Sequence, residues 1–328
     1  MADRKIRTTL VTGASSGLGL EAAAQLATAG YARVVITART DDKAESARAE
    51  LQTSGAARFE TLTLDLDDLT SVARAADVLA ERGGQIDVLL LNAGIVSSNE
   101  VKRTTDNIEV TAAATLTGHH AFTMRLLEAG LLADDARIIL AGSEAARGDF
   151  PLLNPIDIGE VAAGEFNGDL EAAIEAVIRM EHPLDFNANT QYATVKMFAV
   201  WWARELAERL RPGMTVNVVS PGSTPGTNGS RNAPALMRWV MLPIVKLLPG
   251  MSHTVSDGAA RYLEATTFGP ERTGEFFASR PKRGTGPLQV VQMDHLDNPA
   301  AQRALWSVTA RITGADFPAQ PAQTNQHR

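Results

Sequence analysis

Tyr192 and Lys196 are four positions apart in the stretch QYATVKMF, and this pair could transfer a proton. Residues with that spacing share one face of a helix, so the phenol and the ammonium group can point into the same site. A free tyrosine has a pKa of about 10, and a neighbouring cation stabilises the phenolate and lowers that pKa. The pair therefore predicts a general acid or base, although many helices contain this spacing by chance.

The stretch VTGASSGLGL fits two incompatible motifs. As G-x-S-x-G it would make Ser15 the nucleophile of a hydrolase, which needs an oxyanion donor from an earlier strand–helix turn. With Gly19 included, it is a glycine-rich turn that holds a dinucleotide pyrophosphate at the next helix N-terminus. No such turn precedes this first strand, so the dinucleotide interpretation is favoured. Gly13, Gly17 and Gly19 then shape the turn, and Ser15 and Ser16 become phosphate donors.

Residues 37–39 read TAR and end the second predicted strand, where a dinucleotide fold contacts the adenosine ribose. An acidic residue there would bind the 2′-hydroxyl and favour NAD. Arg39 can instead hold a 2′-phosphate through two hydrogen bonds, and Ala38 adds no carboxylate to repel it. The sequence therefore predicts a preference for NADP(H); the alternative is a solvated arginine at a helix start.

Short β-rich runs alternate with helical patterns along the chain, and these elements must position the residues above. The alternation predicts an α/β fold: a single doubly wound parallel sheet of about seven strands, a Rossmann fold, with helices on both faces. Ligands then bind at the carboxyl ends of the strands. The predicted strands are residues 8–12, 33–37, 59–64, 87–91, 137–141, 215–219 and 275–278.

Composition narrows the function classes. The net charge of −7 argues against nucleic acid or an anionic membrane surface as the main partner, and the lack of cysteine excludes thiolate chemistry. The first residues lack the apolar core of a signal peptide, and the most apolar stretch, 234–251, is too short to span a membrane. We expect a cytoplasmic protein without stable membrane insertion, with one domain at 1–314 and a flexible tail at 315–328.

Several motifs occur in the order typical of one family. They are TGASSGLG at 12–19, Asp65-Leu66, Asn92-Ala93-Gly94, Ser143 after the fifth strand, Tyr192 with Lys196, and Pro221-Gly222. The chain resembles the classical short-chain dehydrogenase/reductases along nearly its whole length. Within them it is most similar to the retinol-dehydrogenase-like and protochlorophyllide-reductase-like branch.

The resemblance implies a role for each matching residue. Tyr192 would be the general acid or base, Lys196 would bind the nicotinamide ribose and lower the tyrosine pKa, and Ser143 would hold the substrate oxygen. Asp65 would accept from the adenine amino group, although turn chemistry is an alternative for it and for Asn92. The implied cofactor-binding residues are Gly13, Ser15, Ser16, Gly17, Leu18, Gly19, Arg39, Asp65, Leu66, Asn92, Ala93, Gly94, Tyr192, Lys196, Pro221 and Gly222.

Three features depart from or extend the family pattern. Thr115 stands where the family usually places an asparagine of a proton relay, before His119 and His120, for which packing is favoured over a metal site. Tyr192 follows Ser143 by 49 positions, and the added segment, 149–187, is either an acidic lid or a solvated helix packed at the sheet edge. Residues 223–256 are expected to form the substrate lid, with core or dimer packing as the alternative for their apolar side chains.

The sequence also suggests a homodimer. The helix from Tyr192 to about Leu210 carries an apolar stripe with Trp201 beside it, and the resemblance implies its pairing, with the Thr104–Gly130 helix, across a two-fold axis. The alternative is that the acidic segment or the C-terminal helix covers this stripe. The stripe consists of Phe198, Trp202, Leu206 and Leu210.

Together these features predict an NADP(H)-dependent oxidoreductase that transfers hydride between nicotinamide and a carbonyl or alcohol carbon of an apolar small molecule. Two alternatives stay open: reduction of a C=C bond, and a catalytically weak NADP(H)-binding or sensing protein, which Thr115 suggests. The lack of cysteine argues against light-driven pigment chemistry, because the pigment enzymes of the protochlorophyllide branch use cysteine.

Overall fold

The structure is a computed structural model that describes residues 7–52, 57–98, 100–150, 152–224 and 252–318. Its strands are β1 (Thr8–Val11), β2 (Arg33–Ala38), β3 (Arg58–Thr63), β4 (Ile86–Leu91), β5 (Leu132–Ala141), β6 (Thr215–Val219), β7 (Phe276–Ala278) and β8 (Gln289–Val290). They form one sheet in the order β3-β2-β1-β4-β5-β6-β7-β8. The order reverses between β1 and β4, which opens a crevice at their carboxyl ends.

Helices cover both faces of the sheet. They are α1 (Gly17–Thr28), α2 (Asp41–Gln52), α3 (Leu69–Arg82), α4 (Val110–Ala112), α5 (Gly118–Glu128), α6 (Ile158–Glu165), α7 (Leu170–Arg179), α8 (Ala188–Ala207), α9 (Val255–Ala265) and α10 (Pro299–Thr313). A π-helical turn (Ala113–Thr117) joins α4 to α5, and 3₁₀-helices span Glu144–Arg147 and Asp294–Leu296. One core lies under α3, α5, α8 and α10, and a second lies under α1, α2 and α9.

These findings confirm the predicted doubly wound α/β fold. Each of the seven predicted strands is present, and strands β1 to β7 pair in parallel. The sequence missed β8, which pairs antiparallel with β7 at the sheet edge. Both of its residues are exposed, so it lacks the apolar run that marks the buried strands.

Short polar side chains fix where the helices begin. The Asp68 carboxylate accepts a hydrogen bond from the backbone of Thr70 at the start of α3. The Asn187 side chain does the same at the start of α8, where it accepts from Asn189 and Thr190. Such caps pair backbone N–H groups that have no partner within the helix. The cap at Asn187 places Tyr192 in the second turn of α8 rather than in its first.

The expected helix from Thr104 to Gly130 is shorter and interrupted. Helix formation begins only at Val110, where the buried Glu109 carboxylate accepts from the backbone N–H groups of Thr111 and Ala112. The π-helical turn then widens the backbone over Ala113–Thr117 before α5 continues. Insertions of this type often occur at functional positions.

The apolar face of α8 is not exposed. Phe198, Trp202 and Leu206 are each at most 1% exposed. The indole of Trp202 donates to His120 Nδ1 at 3.0 Å, and the Trp306 ring of α10 packs edge-on against the same imidazole at 5.1 Å between ring centroids. The prediction that this face is free for pairing is therefore wrong, because α10 of the same chain covers it. The homodimer itself stays a prediction.

The acidic segment 149–187 forms α6 and α7. As predicted, α7 buries one apolar side, which includes Ile174, Val177 and Ile178. It packs against α10 rather than at the sheet edge, and Arg311 of α10 contacts two of its carboxylates. No helix among the described residues is long and apolar enough to cross a membrane.

The covered position of Trp202 predicts a large effect on stability. We expect Trp202→Ala to lower the free energy of unfolding by about 3–5 kcal/mol, because it leaves a cavity between α8 and α10. Urea unfolding followed by circular dichroism measures the change. The control is Arg303→Ala on the exposed side of α10, which should change stability by less than about 0.5 kcal/mol. If Trp202→Ala were as stable as the wild type and had half the molecular mass of the wild type in solution, this face would instead lie at a subunit interface.

Candidate active site

The glycines of the turn between β1 and α1 occupy positions that disfavour a side chain. Gly13 and Gly17 have φ angles of 64° and 60°, a region that residues with a Cβ atom rarely adopt. A Cβ atom on Gly19 would lie 2.5 Å from both Asn92 Nδ2 and the Gly13 carbonyl oxygen. Helix α1 therefore begins directly against the loop after β4. This cradle fits the pyrophosphate of a dinucleotide, which needs close approach to backbone N–H groups.

The other predicted residues of the turn lie beside these glycines. Ser16 directly precedes α1 and makes no capping hydrogen bond with its side chain, while Ser15 and Leu18 are half-buried. Pro221 and Gly222 follow β6 at the same edge of the sheet, and Gly222 N donates to Ser220 Oγ at 3.1 Å. The structure thus brings the predicted phosphate and nicotinamide positions to one edge.

Thr12 joins the ends of β1 and β4, a role that the sequence reasoning missed. Its hydroxyl accepts from Ala93 N at 3.0 Å, and its carbonyl oxygen accepts from Asn92 Nδ2 at 3.0 Å. His119 Nδ1 donates to the Thr115 carbonyl oxygen, so its Nε2 accepts from the Thr12 hydroxyl at 2.9 Å. Burial lowers the pKa of His119 to about 3, which keeps the ring neutral. Asn92 and His119 therefore make structural contacts here. In the sequence, the place of Thr12 at the start of the motif TGASSGLG is the feature that could have indicated its role.

Ser143, Tyr192 and Lys196 converge as predicted. Ser143 follows β5, and its side chain lies within hydrogen-bonding reach of the Tyr192 hydroxyl. Lys196 Nζ lies 5.7 Å from the centre of the Tyr192 ring and donates to the Ala141 carbonyl oxygen at 2.8 Å. The three side chains thus come from β5 and α8 and meet beside the crevice.

The expected lowering of the Tyr192 pKa by Lys196 is not found in this structure. Burial raises the pKa of Tyr192; the hydrogen bond with Ser143 opposes this rise, and the charge of Glu144 adds to it. Burial also lowers the pKa of Lys196 from 10.5 to about 8, which weakens its positive charge near neutral pH. Desolvation is the largest cause of both shifts, and Lys196 is only 4% exposed.

Thr115 lies beside this group, in the π-helical turn. A Cβ atom on Gly94 would lie 3.2 Å from Thr115 Oγ1 and 3.8 Å from Lys196 Nζ. Thr115 Oγ1 is buried and has no hydrogen-bond partner among the described residues. The missing side chain of Gly94 therefore leaves space bordered by a hydroxyl and an ammonium group. A hydroxyl and an ammonium group are hydrogen-bonding partners that suit the hydroxyl groups of a nicotinamide ribose.

The predicted adenine pocket shows turn chemistry. Asp65 Oδ1 accepts from Asp67 N at 3.1 Å, and Leu66 is buried, with 6% of its surface exposed. Arg39 is exposed after β2. Burial, followed by the charge of Asp65, raises the pKa of Asp67 to about 6, while Arg39 opposes the rise. Asp67, which the sequence reasoning missed although it lies in the run DLDD, therefore faces the guanidinium predicted to bind phosphate.

His120 packs away from the site, and most of the predicted lid cannot be compared with the prediction. His120 Nε2 donates to the Ala315 carbonyl oxygen at 2.7 Å, so with the bond from Trp202 both ring nitrogens are engaged. Within the described ranges, no three His, Asp or Glu side chains are arranged to hold a metal. Most of the predicted lid, including Trp239, lies outside the described residues. At its ends, Ser223 N donates to the Gly284 carbonyl oxygen, and His253 N donates to the Ser223 carbonyl oxygen.

Comparison with known proteins identifies the family. Residues 7–155 match the family model described as short chain dehydrogenase. A short chain dehydrogenase of Aspergillus nomiae, rstn4, is 32% identical over 281 residues, which cover 82% of this chain and 71% of that protein. The chain belongs to the short-chain dehydrogenase family. Members of this family are oxidoreductases that use nicotinamide cofactors.

Other short-chain dehydrogenase relatives confirm the predicted branch. The chloroplastic protochlorophyllide reductase of Chlamydomonas reinhardtii is 27% identical, with 95% of this chain and 79% of that protein covered. Human retinol dehydrogenase 13 is 24% identical, with coverages of 95% and 86%. A solved short chain dehydrogenase from Burkholderia cenocepacia, in complex with NADP, has a TM-score of 0.59 at 25% identity and coverages of 83% and 95%.

The buried Lys196 makes stability depend on pH. Its pKa is about 8 in the folded chain against 10.5 for an exposed lysine, so the unfolded chain binds more protons between these values. Stability attributable to Lys196 therefore rises with pH across this window. Lys196→Met removes the titrating group, so the stability of the variant relative to the wild type should fall by about 2 kcal/mol from pH 7 to pH 9.5.

Urea unfolding at the two pH values measures this difference. The control is Lys43→Met on the exposed side of α2, for which the difference from the wild type should not change with pH. A constant difference for Lys196→Met as well would contradict a lowered pKa.

Proposed function

We propose that the chain is an NADP(H)-dependent oxidoreductase that transfers hydride between nicotinamide and a carbonyl or alcohol carbon of an apolar small molecule. The observation that carries this proposal is the convergence of the Ser143 and Tyr192 side chains, with Lys196 beside the Tyr192 ring, at the edge that also holds the glycine-rich turn. A proton donor and a second hydroxyl can there reach one substrate oxygen. Membership of an oxidoreductase family supports the same reaction class.

Each residue has a role that follows from its surroundings. Because its pKa is raised, Tyr192 is protonated at neutral pH and can donate its proton to a carbonyl oxygen. The Ser143 hydroxyl holds that oxygen, which stabilises the negative charge that develops on it. Lys196 reaches the space beside Gly94 and binds the ribose. The bound cofactor supplies the hydride.

Support for NADP(H) comes from the end of β2. Ala38 is buried and carries no carboxylate, while the exposed Arg39 can reach a 2′-phosphate. The Burkholderia cenocepacia relative, whose structure contains NADP, adds support from the family.

The role of Arg39 predicts the cofactor preference. Wild-type protein should bind NADPH more tightly than NADH, and Arg39→Ala should remove most of this difference. Loss of a charged phosphate contact of about 1.5–3 kcal/mol corresponds to a roughly 10- to 100-fold weaker affinity for NADPH. Titration of the fluorescence of bound NADPH measures it. Arg48→Ala, at an exposed arginine of α2, is the matched control. Equal wild-type affinities for the two cofactors would contradict the proposal.

The role of Tyr192 predicts a selective loss of turnover. Tyr192→Phe keeps the half-buried ring but removes the proton, so kcat for ketone reduction should fall by about 10²- to 10⁴-fold. The affinity for NADPH should stay nearly unchanged. Tyr31→Phe, at a buried tyrosine that is hydrogen-bonded to Arg7 on the other side of the sheet, is the control and should retain activity. Full activity of Tyr192→Phe would rule out this mechanism.

Two alternative functions have specific support. The similarity to a protochlorophyllide reductase supports reduction of a C=C bond. The unpartnered Thr115 hydroxyl, in place of a relay asparagine, supports a weak enzyme or a sensor. A panel of ketones, aldehydes and enones with NADPH separates them. Turnover of enones alone supports the first, and tight NADPH binding without any turnover supports the second.

A further inference from the structure

Glu144 directly follows the proposed substrate-binding Ser143 and is buried, with 7% of its surface exposed. Its carboxylate accepts hydrogen bonds from the hydroxyl of Ser220, and from the backbone N–H and hydroxyl of Ser279 at 3.3 and 3.0 Å. Arg261 Nη1 lies 3.5 Å away and completes an ion pair. One side chain beside Ser143 thus contacts the ends of β6 and β7.

Arg261 reinforces the same three positions from α9. It is 4% exposed and donates to the Ser220 carbonyl oxygen at 3.0 Å and to Ser279 Oγ at 2.8 Å. It also donates to the Gly286 carbonyl oxygen. Each of the two buried charges is paired with the other and makes several hydrogen bonds. Removing either side chain therefore leaves the other charge buried without its partner.

Ser220 extends this network to the predicted nicotinamide side. Its hydroxyl donates to Glu144 and accepts from Gly222 N at 3.1 Å. Gly222 has a φ of 79°, and a Cβ atom there would lie 2.4 Å from His253 Cδ2, so the turn has little freedom to move. Glu144 therefore connects the loop that carries Ser143 to the turn that follows Pro221.

We propose that Glu144, paired with Arg261, is a positioning residue that fixes Ser143 and the Gly222 turn relative to each other. This inference rests on the proposed function, in which the two loops contact the substrate oxygen and the nicotinamide. Glu144 acts through Ser143 and Ser220 and contacts neither reactant. When the Ser143 loop and the Gly222 turn are fixed relative to each other, the carbonyl carbon lies against the hydride donor. The rate of hydride transfer depends steeply on this geometry.

The charge of Glu144 also acts on the proton donor. The charged or titratable groups that face it are Arg261 and Tyr262 of α9, Tyr192 of α8, and His253. Arg147 instead donates to the carbonyl oxygens of residues 279, 280 and 283. Together with burial, the Glu144 carboxylate raises the pKa of Tyr192, which keeps the phenol protonated for reduction. Loss of this charge should shift the basic limb of the pH profile to lower pH.

Glu144→Gln tests the inference through kinetics. It keeps the size of the side chain but removes its charge and one acceptor, so kcat for reduction should fall by about 10- to 100-fold. The KM for NADPH should change little. The matched control is Glu205→Gln, which makes the same change at an equally buried carboxylate of α8 that is paired with Arg209. Its kcat and pH profile should match those of the wild type.

A double-mutant cycle separates positioning from a general loss of stability. If Glu144 acts through Ser143, adding Glu144→Gln to Ser143→Ala should reduce kcat much less than Glu144→Gln alone does. Full additivity, or a pH profile like that of the wild type in Glu144→Gln, would overturn the inference while the proposed function stands.

Hydrogen exchange measures the same positioning without turnover. In Glu144→Gln the Gly222 amide should exchange at least about fivefold faster, the effect of one weakened hydrogen bond, and in Glu205→Gln it should not change. Unchanged exchange at Gly222 overturns the inference whether or not the wild type is active. NADPH binding without any turnover by the wild type, with faster Gly222 exchange in Glu144→Gln, overturns only the proposed function.

Discussion

The close contact between α1 and the loop after β4 is the constraint on which the cofactor side of this protein depends. Any side chain at position 19 would overlap Asn92 Nδ2 and the Gly13 carbonyl oxygen, which are 2.5 Å from the position of a Cβ atom. With glycine there, the helix starts at the point where the strand order reverses. Hydrogen bonds of Thr12, one of them with His119, stabilise the same point, so the folded chain itself forms the cradle. A pre-formed cradle lowers the entropy cost of binding.

The features that the sequence predicted are local or continuous in the chain. Strands such as β4 read as nearly continuous apolar runs because helices cover both faces of the sheet, and its residues Leu89, Leu90 and Leu91 are fully buried. The glycine-rich turn and the spacing of Tyr192 and Lys196 are equally local. Strand β8 has two exposed residues and exists only because β7 offers an edge, so no pattern within its own sequence could reveal it.

The features that the sequence did not predict depend on distance and burial. The sign of the shift in the Tyr192 pKa follows from desolvation and from the charge of Glu144, and neither can be read from the spacing of Tyr192 and Lys196. Glu144 and Arg261 are 117 positions apart, so their pairing follows only from the strand order. A role for Asp65 in the turn is the alternative to adenine binding, and it accounts for the hydrogen bond that the Asp65 side chain accepts from Asp67 N.

The contacts of the acidic segment 149–187 bear on two expectations, the acidic lid and the exposed apolar face of α8. Its carboxylates Glu171 and Glu175 contact Arg311 of α10, so part of its charge is paired within the chain rather than facing a ligand. Gln191, directly before Tyr192, donates to Glu109 and to the Val177 carbonyl oxygen, both at 3.1 Å. The segment therefore supports the turn of α8 that carries Tyr192, while α10 covers the apolar face of that helix.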